Sequence, residues 1–317
     1  MHKRWRARVL FLLLTGTAVV SSGIGASRAP VRGDHAMVVS TETHATEAGI
    51  EMLKKGGNAI DAAVAVGFAL AVTHPAAGNL GGGGFMLIRL AGTGETVAID
   101  YREMAPAAAS RNMYLDERGN IIPDSSTIGY RASGVPGTVA GLTFALEKYG
   151  TLKLPDVMAP AIALARDGVA LSYFESQSLR NSRKLLGRFS ETKRIYLRGG
   201  NYYAPGERFV QPELANSLAG IARNGAKEFY EGSIAQQIAQ DMSAHGGLIT
   251  TEDLKNYRVF TRKPIEGTYR GFRIYSMPPP SSGGVALVEM LNILEAYPLE
   301  RYGQGSSRTL HLLAEAM

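Results

Sequence analysis

The sequence has no cysteine, and this absence removes several kinds of chemistry. None of its 317 residues is Cys, so disulfide frameworks, thiol catalysis, thiolate metal sites and a lipid anchor on cysteine are all excluded. Hydrophobic residues make up 45% and charged residues 20% of the chain, with 37 glycines. This composition excludes disordered and collagen-like proteins and indicates a globular fold of one large or two ordinary domains.

Common catalytic and nucleotide-binding motifs are also missing. The six histidines include no pair spaced three to five residues apart, as a helical zinc site requires. No serine lies in the glycine-flanked turn of α/β hydrolases, and no glycine-rich loop matches a phosphate-binding or dinucleotide fingerprint. We therefore expect no metal and no cofactor.

The N-terminus has the pattern of an export signal. Four basic residues, Lys3, Arg4, Arg6 and Arg8, precede an apolar run, and small residues follow it up to Ala26. The run is too short to span a bilayer. The pattern predicts a signal peptide at residues 1–26 and a periplasmic or secreted protein without a stable membrane anchor.

The positive charge of the chain is concentrated in that leader. Without its four bases, 30 basic residues (34 − 4) remain against 28 acidic ones. We expect the remaining arginines and lysines to be scattered, and we therefore predict no nucleic acid or other polyanion as a partner.

Helical and strand patterns alternate along the chain. A strand is predicted at 37–40, helices at 45–55 and 59–73 with Asn58 as the cap of the second, and a hairpin from 85–90 and 96–101. Further helices are predicted before Gly150, Gly225 and Gly246, a strand at 272–276, and helical stripes at 287–294 and 310–317. The last stripe has no stop signal, so we expect a chain that is cut short.

Three irregular segments carry the candidate chemistry. The glycine-rich run at 78–86 is interpreted as a crowded structural turn, in preference to an anion site. Within 100–106, Arg102 either binds a substrate carboxylate or forms an ion pair with Asp100 or Glu103. In the third segment, 277–284, we interpret Ser282 as a residue near a helix cap, in preference to a nucleophile.

Six segments in the same order resemble the γ-glutamyltranspeptidase family, specifically the bacterial large subunit. They are residues 56–63, 73–86, 101–106, 134–141, 247–250 and 277–284, which span nearly the whole chain after the leader.

The resemblance implies an α+β fold of the N-terminal nucleophile hydrolase type, an αββα sandwich, here incomplete. It implies a proenzyme that cuts itself before a threonine, whose freed α-amine then serves as the base. That enzyme hydrolyses or transfers the γ-glutamyl group of glutathione and related amides to water, amino acids or dipeptides. By position, Arg102 matches the family arginine that holds the donor α-carboxylate, so the resemblance favours substrate binding over the ion pair.

The sequence departs from the family in lacking the Thr-Thr-His junction. Its one Thr-Thr pair, Thr250-Thr251, is followed by Glu252. We therefore interpret residues 27–317 as a partial large subunit truncated before the autoprocessing site, with no catalytic residue in this chain and a small subunit from the same precursor as its partner. Such a chain is expected to be inactive and unstable. The alternatives are a cephalosporin or glutaryl acylase, a polyglutamate depolymerase, or a non-catalytic periplasmic binding protein.

Overall fold

The computed structural model describes residues 30–317, in which helices alternate with short antiparallel strands. The predicted signal peptide, residues 1–26, lies outside the described residues. Residues 30–37 belong to an N-terminal unit and carry no helix or strand, whereas residues 38–317 form one compact unit. Over the described part of the chain, no helix has the length and hydropathy needed to cross a membrane.

The described helices are α1 (Thr43–Lys54), α2 (Ala59–Thr73), α3 (Thr138–Tyr149), α4 (Leu154–Asp167), α5 (Tyr173–Leu186), α6 (Ser190–Tyr196), α7 (Pro212–Asn224), α8 (Ala226–Tyr230), α9 (Ser233–Ala244), α10 (Thr251–Lys255), α11 (Gly283–Glu295), α12 (Leu299–Tyr302) and α13 (Ser307–Ala316). The described strands are β1 (Phe85–Arg89), β2 (Thr96–Asp100), β3 (Val169–Ala170), β4 (Arg208–Phe209), β5 (Phe260–Arg262), β6 (Ile265–Tyr269) and β7 (Phe272–Ser276).

Local capping signals set the start of α2, as predicted. The Asn58 side-chain oxygen accepts from the amides of Ile60 at 2.8 Å and Asp61 at 3.2 Å, and the Asp61 carboxylate accepts from the Asn58 amide at 2.7 Å. This reciprocal capping box satisfies backbone donors that have no partner inside the helix. Helices α3 and α7 end at the predicted positions, directly before Gly150 and Gly225.

The strand predicted at residues 37–40 is wrong. The segment is irregular, and Val39 is 81% exposed. The Ser40 hydroxyl donates to the Glu42 carbonyl at 2.7 Å and lies 2.7 Å from the Thr46 hydroxyl. A short apolar segment forms a strand only when a neighbouring strand satisfies its backbone groups. This segment instead leads into the first turn of α1.

The predicted hairpin forms, and it joins a strand from far along the chain. Strands β1 and β2 pair antiparallel with Ile88 opposite Val97, and β2 pairs antiparallel with β5, with Asp100 opposite Phe260. The sheet order is β1-β2-β5, while β3 with β4 and β6 with β7 form two-stranded sheets. The middle strand β2 therefore ends beside β5, and residue 102 follows that end.

Helix α2 is the centre of the main core. Its Val64, Phe68 and Val72 are fully buried, and the same apolar cluster includes Ile88 and Ile99 of the sheet. Close helix packing requires the small residues that the sequence places around α2. The core therefore ties the helices to the sheet that presents residue 102.

The C-terminal helices leave apolar side chains uncovered. On α11, Val285 is 48% and Ile293 46% exposed, and on α13 Leu310 is 56% exposed. Both helices were predicted from apolar stripes, and both are present, but of the predicted stripe on α11 only Leu294 is buried. Within residues 30–317, no segment covers the apolar face formed by Val285, Ile293 and Leu310.

Candidate substrate-binding site

A cleft of about 540 Å³ opens where the chain leaves β2. Its walls come from residues 102–106, residues 131–134 and the glycine-rich run at Gly81. Two arginines, Arg102 and Arg131, and one carboxylate, Glu103, line it together. This combination of charges suits a ligand that carries both carboxylate and amino groups.

Arg102 forms no ion pair with the carboxylates nearest in sequence. Its Nη1 donates to the carbonyl of Pro280 at 3.3 Å, and no described carboxylate lies within 4.0 Å of its guanidinium. The Asp100 carboxylate has other hydrogen-bond partners: one oxygen accepts from Arg262 Nε at 2.8 Å, and the other accepts from the Arg102 backbone amide at 3.1 Å. Arg102 therefore does not form the ion pair with Asp100 or Glu103 that was the alternative to substrate binding, and its side chain is exposed at the cleft.

The backbone of Arg102 is held on both sides by side chains. Asp100 accepts from its amide, and the Tyr257 hydroxyl donates to its carbonyl at 2.9 Å. Tyr257 is 7% exposed. Burial raises the pKa of its phenol, and the nearby charges of Asp100 and Glu103 raise it further. The hydroxyl therefore remains protonated and keeps its role as a donor.

Tyr257 belongs to a stacked pair of buried tyrosines. Its ring lies 5.5 Å from that of Tyr230 with planes 16° apart. The Tyr230 hydroxyl donates to the Pro136 carbonyl at 2.8 Å and accepts from the Ala140 amide at 3.2 Å. The pair therefore ties the Arg102 turn to the start of α3, and sequence reasoning missed it because both tyrosines lie far from residue 102 in the chain.

The glycine-rich run is a crowded turn, as we interpreted it. A side chain on Gly83 would lie 2.6 Å from the Tyr101 carbonyl oxygen and 2.9 Å from Arg102 Cα. The amide of Gly82 donates to the Asn79 side chain at 2.8 Å, and that of Gly84 donates to the Tyr101 carbonyl at 3.2 Å. These amides serve the turn, and the close approach is possible only without a Cβ.

A second glycine allows the start of α3 to approach the same turn. A Cβ on Gly137 would overlap the Tyr101 carbonyl oxygen and the Tyr257 hydroxyl. Its amide donates to the Gly82 carbonyl at 2.7 Å. The segments 78–86 and 134–141, which are far apart in the chain, therefore pack around one turn.

The segment 277–284 contributes its backbone to the site. The Pro280 carbonyl accepts from Arg102, and Ser282 directly precedes α11, as predicted. The Ser282 side chain makes no capping bond, since its backbone is already helical. Instead, the Ser281 hydroxyl accepts from the Gly283 amide at 3.3 Å.

Thr250 and Asp253 support the outer edge of the cleft. Thr250 caps α10 with Asp253 in a capping box, so the Thr-Thr pair here begins a helix. Asp253 also accepts from the amide of Ala107 at 2.7 Å. Burial alone would raise the pKa of Asp253, but hydrogen bonds from Thr250 and Ala107 lower it. The carboxylate thus anchors the loop that follows residue 106.

Arg131 lines the cleft, and sequence reasoning missed it. It lies in a 3-10 turn, Tyr130–Ala132, and its Nη1 donates to the Met113 carbonyl at 3.2 Å. Its proximity to the segment 134–141 was the one available signal. Among residues 30–317, no group of three His, Asp or Glu side chains has a geometry that would hold a metal ion.

Comparison with known proteins gives one consistent family. A family model described as gamma-glutamyltranspeptidase matches residues 45–317. The chain is 52% identical over 288 residues to the glutathione hydrolase proenzyme of Escherichia coli K12, covering 90% of this chain and 50% of that protein. It is 42% identical to the acylase ACY 1 proenzyme of Pseudomonas sp. strain V22, covering 91% of this chain and 52% of that protein.

A solved structure supports the same relationship. The crystal structure of Helicobacter pylori gamma-glutamyltranspeptidase superposes with a TM-score of 0.88 at 49% identity, covering 90% of this chain and 82% of that chain. The likeness confirms the predicted α+β fold class of the N-terminal nucleophile hydrolase type. The chain spans about half the length of the curated relatives it matches.

Proposed function

We propose a function from the premise that this chain belongs to the γ-glutamyltranspeptidase family. The chain acts as the large-subunit part of a proenzyme that hydrolyses or transfers the γ-glutamyl group of glutathione and related γ-glutamyl amides. The acceptors are water, amino acids or dipeptides. Two relatives of about twice this length carry the word proenzyme in their names, which supports this assignment.

The observation that carries the proposal is the exposed Arg102 guanidinium. It lies at a cleft, contacts one backbone carbonyl, and has no carboxylate partner among the described residues. A guanidinium presents paired N–H donors that match the two oxygens of a carboxylate. Arg102 therefore binds the α-carboxylate of the γ-glutamyl donor, and its clamped backbone keeps that group in place.

The chemistry itself is assigned to a threonine outside this chain. Its hydroxyl attacks the γ-amide carbonyl, and its own α-amine accepts the hydroxyl proton. The carbon–nitrogen bond breaks, the leaving amine takes the proton, and an ester joins the glutamyl group to the threonine. Water or an amine acceptor then attacks that ester. Arg102 contributes by holding the donor in the orientation for attack.

The exposed apolar face of α11 and α13 supports a small subunit from the same precursor as the partner. Val285, Ile293 and Leu310 are each more than a third exposed. Apolar surface of this kind is unfavourable in water and is typical of an interface. The proposed location is the periplasm or the medium, on the basis of the export pattern in residues 1–26.

A related acylase is the second candidate, because the chain is 42% identical to the acylase ACY 1 proenzyme of Pseudomonas sp. strain V22. A glutaryl donor lacks the α-amino acid group, and a polyglutamate depolymerase would need room for a polymer. Retention of Arg102 at the cleft favours a donor with an α-carboxylate.

The test is steady-state kinetics with γ-glutamyl-p-nitroanilide on the complete product of the gene that encodes this chain. Arg102→Ala is expected to lower kcat/KM on the order of 100-fold, mainly through KM, because a charged hydrogen-bonded contact is lost. Arg118→Ala is the matched control, since its exposed side chain does not line the cleft. Undiminished turnover by Arg102→Ala would refute the assignment.

A companion measurement uses purified residues 27–317. We expect no turnover of the anilide, because the proposed nucleophile is elsewhere. Turnover by this chain would show that the catalytic group lies within it.

A further inference from the structure

Positive charge gathers in one segment, contrary to the expectation that it is scattered. Residues 180–200 contain seven basic residues and one acidic residue, Glu191. This local excess of six (7 − 1) exceeds the excess of two for the whole chain after residue 26 (30 − 28). The rest of the chain is therefore slightly acidic, and the basic segment stands out against it.

The basic side chains of this segment line a large cleft. Its volume is about 990 Å³, and it lies between α5, α6 and the loop at residues 200–202. Five basic residues line it: Arg180, Arg183, Lys184, Arg188 and Lys193. Among the described residues, no acidic side chain lines the cleft, and Asn181 and Tyr202 are among the other lining residues.

The basic residues of this segment that lie outside the cleft form ion pairs, whereas most of those that line the cleft do not. Outside, Arg194 pairs with Glu213 at 2.9 Å, and Arg198 pairs with Glu207. Of the five lining residues, only Arg188 has a described carboxylate within 4.0 Å, Asp124 at 3.1 Å. The uncompensated charge of the segment therefore faces the cleft.

This arrangement costs the fold free energy. Arg180 and Lys184 are four residues apart on α5, where like charges repel each other across one helical turn. The cleft rests on a second small core of Leu171, Leu179 and Phe209, which fixes α5 against β4. A rigid scaffold that holds like charges together is stabilised by a bound anion.

We propose that this cleft binds a compact anion carrying several phosphate groups. Arginine forks take phosphate oxygens in pairs, and the two lysines add point charges. A cleft of about 990 Å³, lined by four cations without a carboxylate partner among the described residues, suits a ligand of several charges better than a single ion. One of the four, Arg183, also donates from Nε to the Gly200 carbonyl at 2.8 Å. Its lining residues are not shared with the Arg102 cleft, so the inference does not rest on the proposed function.

The test measures binding of inorganic tripolyphosphate by calorimetry to the complete product of the gene that encodes this chain. The triple variant Arg180→Gln, Lys184→Gln, Lys193→Gln is expected to weaken the affinity about tenfold or more. The control Lys153→Gln, Lys227→Gln, Lys255→Gln removes the same charge from exposed sites outside the cleft and is expected to retain the affinity. Binding should weaken as salt is raised.

Three outcomes would overturn the proposal. They are absence of saturable binding by the unaltered gene product, equal losses in the cleft and control variants, and binding of a DNA duplex or of phosphatidylglycerol vesicles without tripolyphosphate binding. Without saturable binding there is no anion site. Equal losses would show that binding depends on the overall charge and not on the cleft. Binding of only DNA or vesicles would show that the ligand is a macromolecule or a membrane surface and not a compact anion. If the triple variant unfolds, Lys193→Gln alone is measured, with a smaller loss expected.

Discussion

Removal of the Tyr257 hydroxyl tests whether the Arg102 backbone must be held for donor binding. Tyr257→Phe keeps the ring, which stacks on Tyr230 with centroids 5.5 Å apart. The variant therefore loses only the hydrogen bond from the hydroxyl to the Arg102 carbonyl at 2.9 Å.

The size of the effect follows from that one bond. A hydrogen bond contributes about 1 kcal/mol net, and a buried acceptor left without a donor costs about 1 to 3 kcal/mol. Arg102 is exposed as a residue and the bond is only partly buried, so the lower figure applies. About 1 kcal/mol corresponds to roughly a fivefold rise in KM for the γ-glutamyl donor. Little change is expected in kcat, because the group acts on donor binding.

The assay is steady-state turnover of γ-glutamyl-p-nitroanilide by the complete gene product. Tyr230→Phe is the control, because it removes the hydroxyl of the stacked partner, which contacts Pro136 and Ala140 but not Arg102. The control is expected to lose stability and to keep its KM.

A double-mutant cycle decides between positioning and an unrelated effect. In an Arg102→Ala background, the loss of the Tyr257 hydroxyl should no longer change KM, since the side chain it positions is gone. An equal rise in KM in both backgrounds would refute the reasoning.

Further predictions concern stability, measured by chemical denaturation of the complete gene product. Asp61→Ala should destabilise by roughly 3 kcal/mol, because its fully buried carboxylate accepts from the amides of Thr151 and Leu152, both at 2.9 Å. Burial alone would raise the pKa of Asp61, but these hydrogen bonds lower it. The stability that Asp61 contributes is therefore complete above the unfolded pKa of about 3.9 and is lost as pH falls through the folded value. Asp61→Asn should flatten this dependence of stability on pH. Gly137→Ala should destabilise by roughly 3 kcal/mol through overlap with Tyr101, whereas Gly81→Ala meets no atom within 4 Å and should be close to neutral; equal effects at the two glycines would contradict the packing argument.

The candidate site was only partly accessible from sequence. Arg102 was singled out by the resemblance, because a lone arginine beside two acids has no local mark of substrate binding. Its actual surroundings include Tyr257 and Pro280, which lie 155 and 178 residues away in the chain. The concentration of basic residues at 180–198 can be recognised in the sequence. Whether they form a binding cleft depends on which of them make ion pairs, and only the tertiary structure shows that.

The amino-acid sequence by itself determined the local elements. The caps of α2, the hairpin of β1 and β2 and the glycine helix ends follow from interactions within a few residues, which periodicity and residue type encode directly. Tertiary structure alone decided that Asp100 pairs with Arg262 and not Arg102, and that residues 37–40 have no strand beside them. These outcomes depend on contacts between distant segments, which form only when the whole core is packed and which no local pattern records.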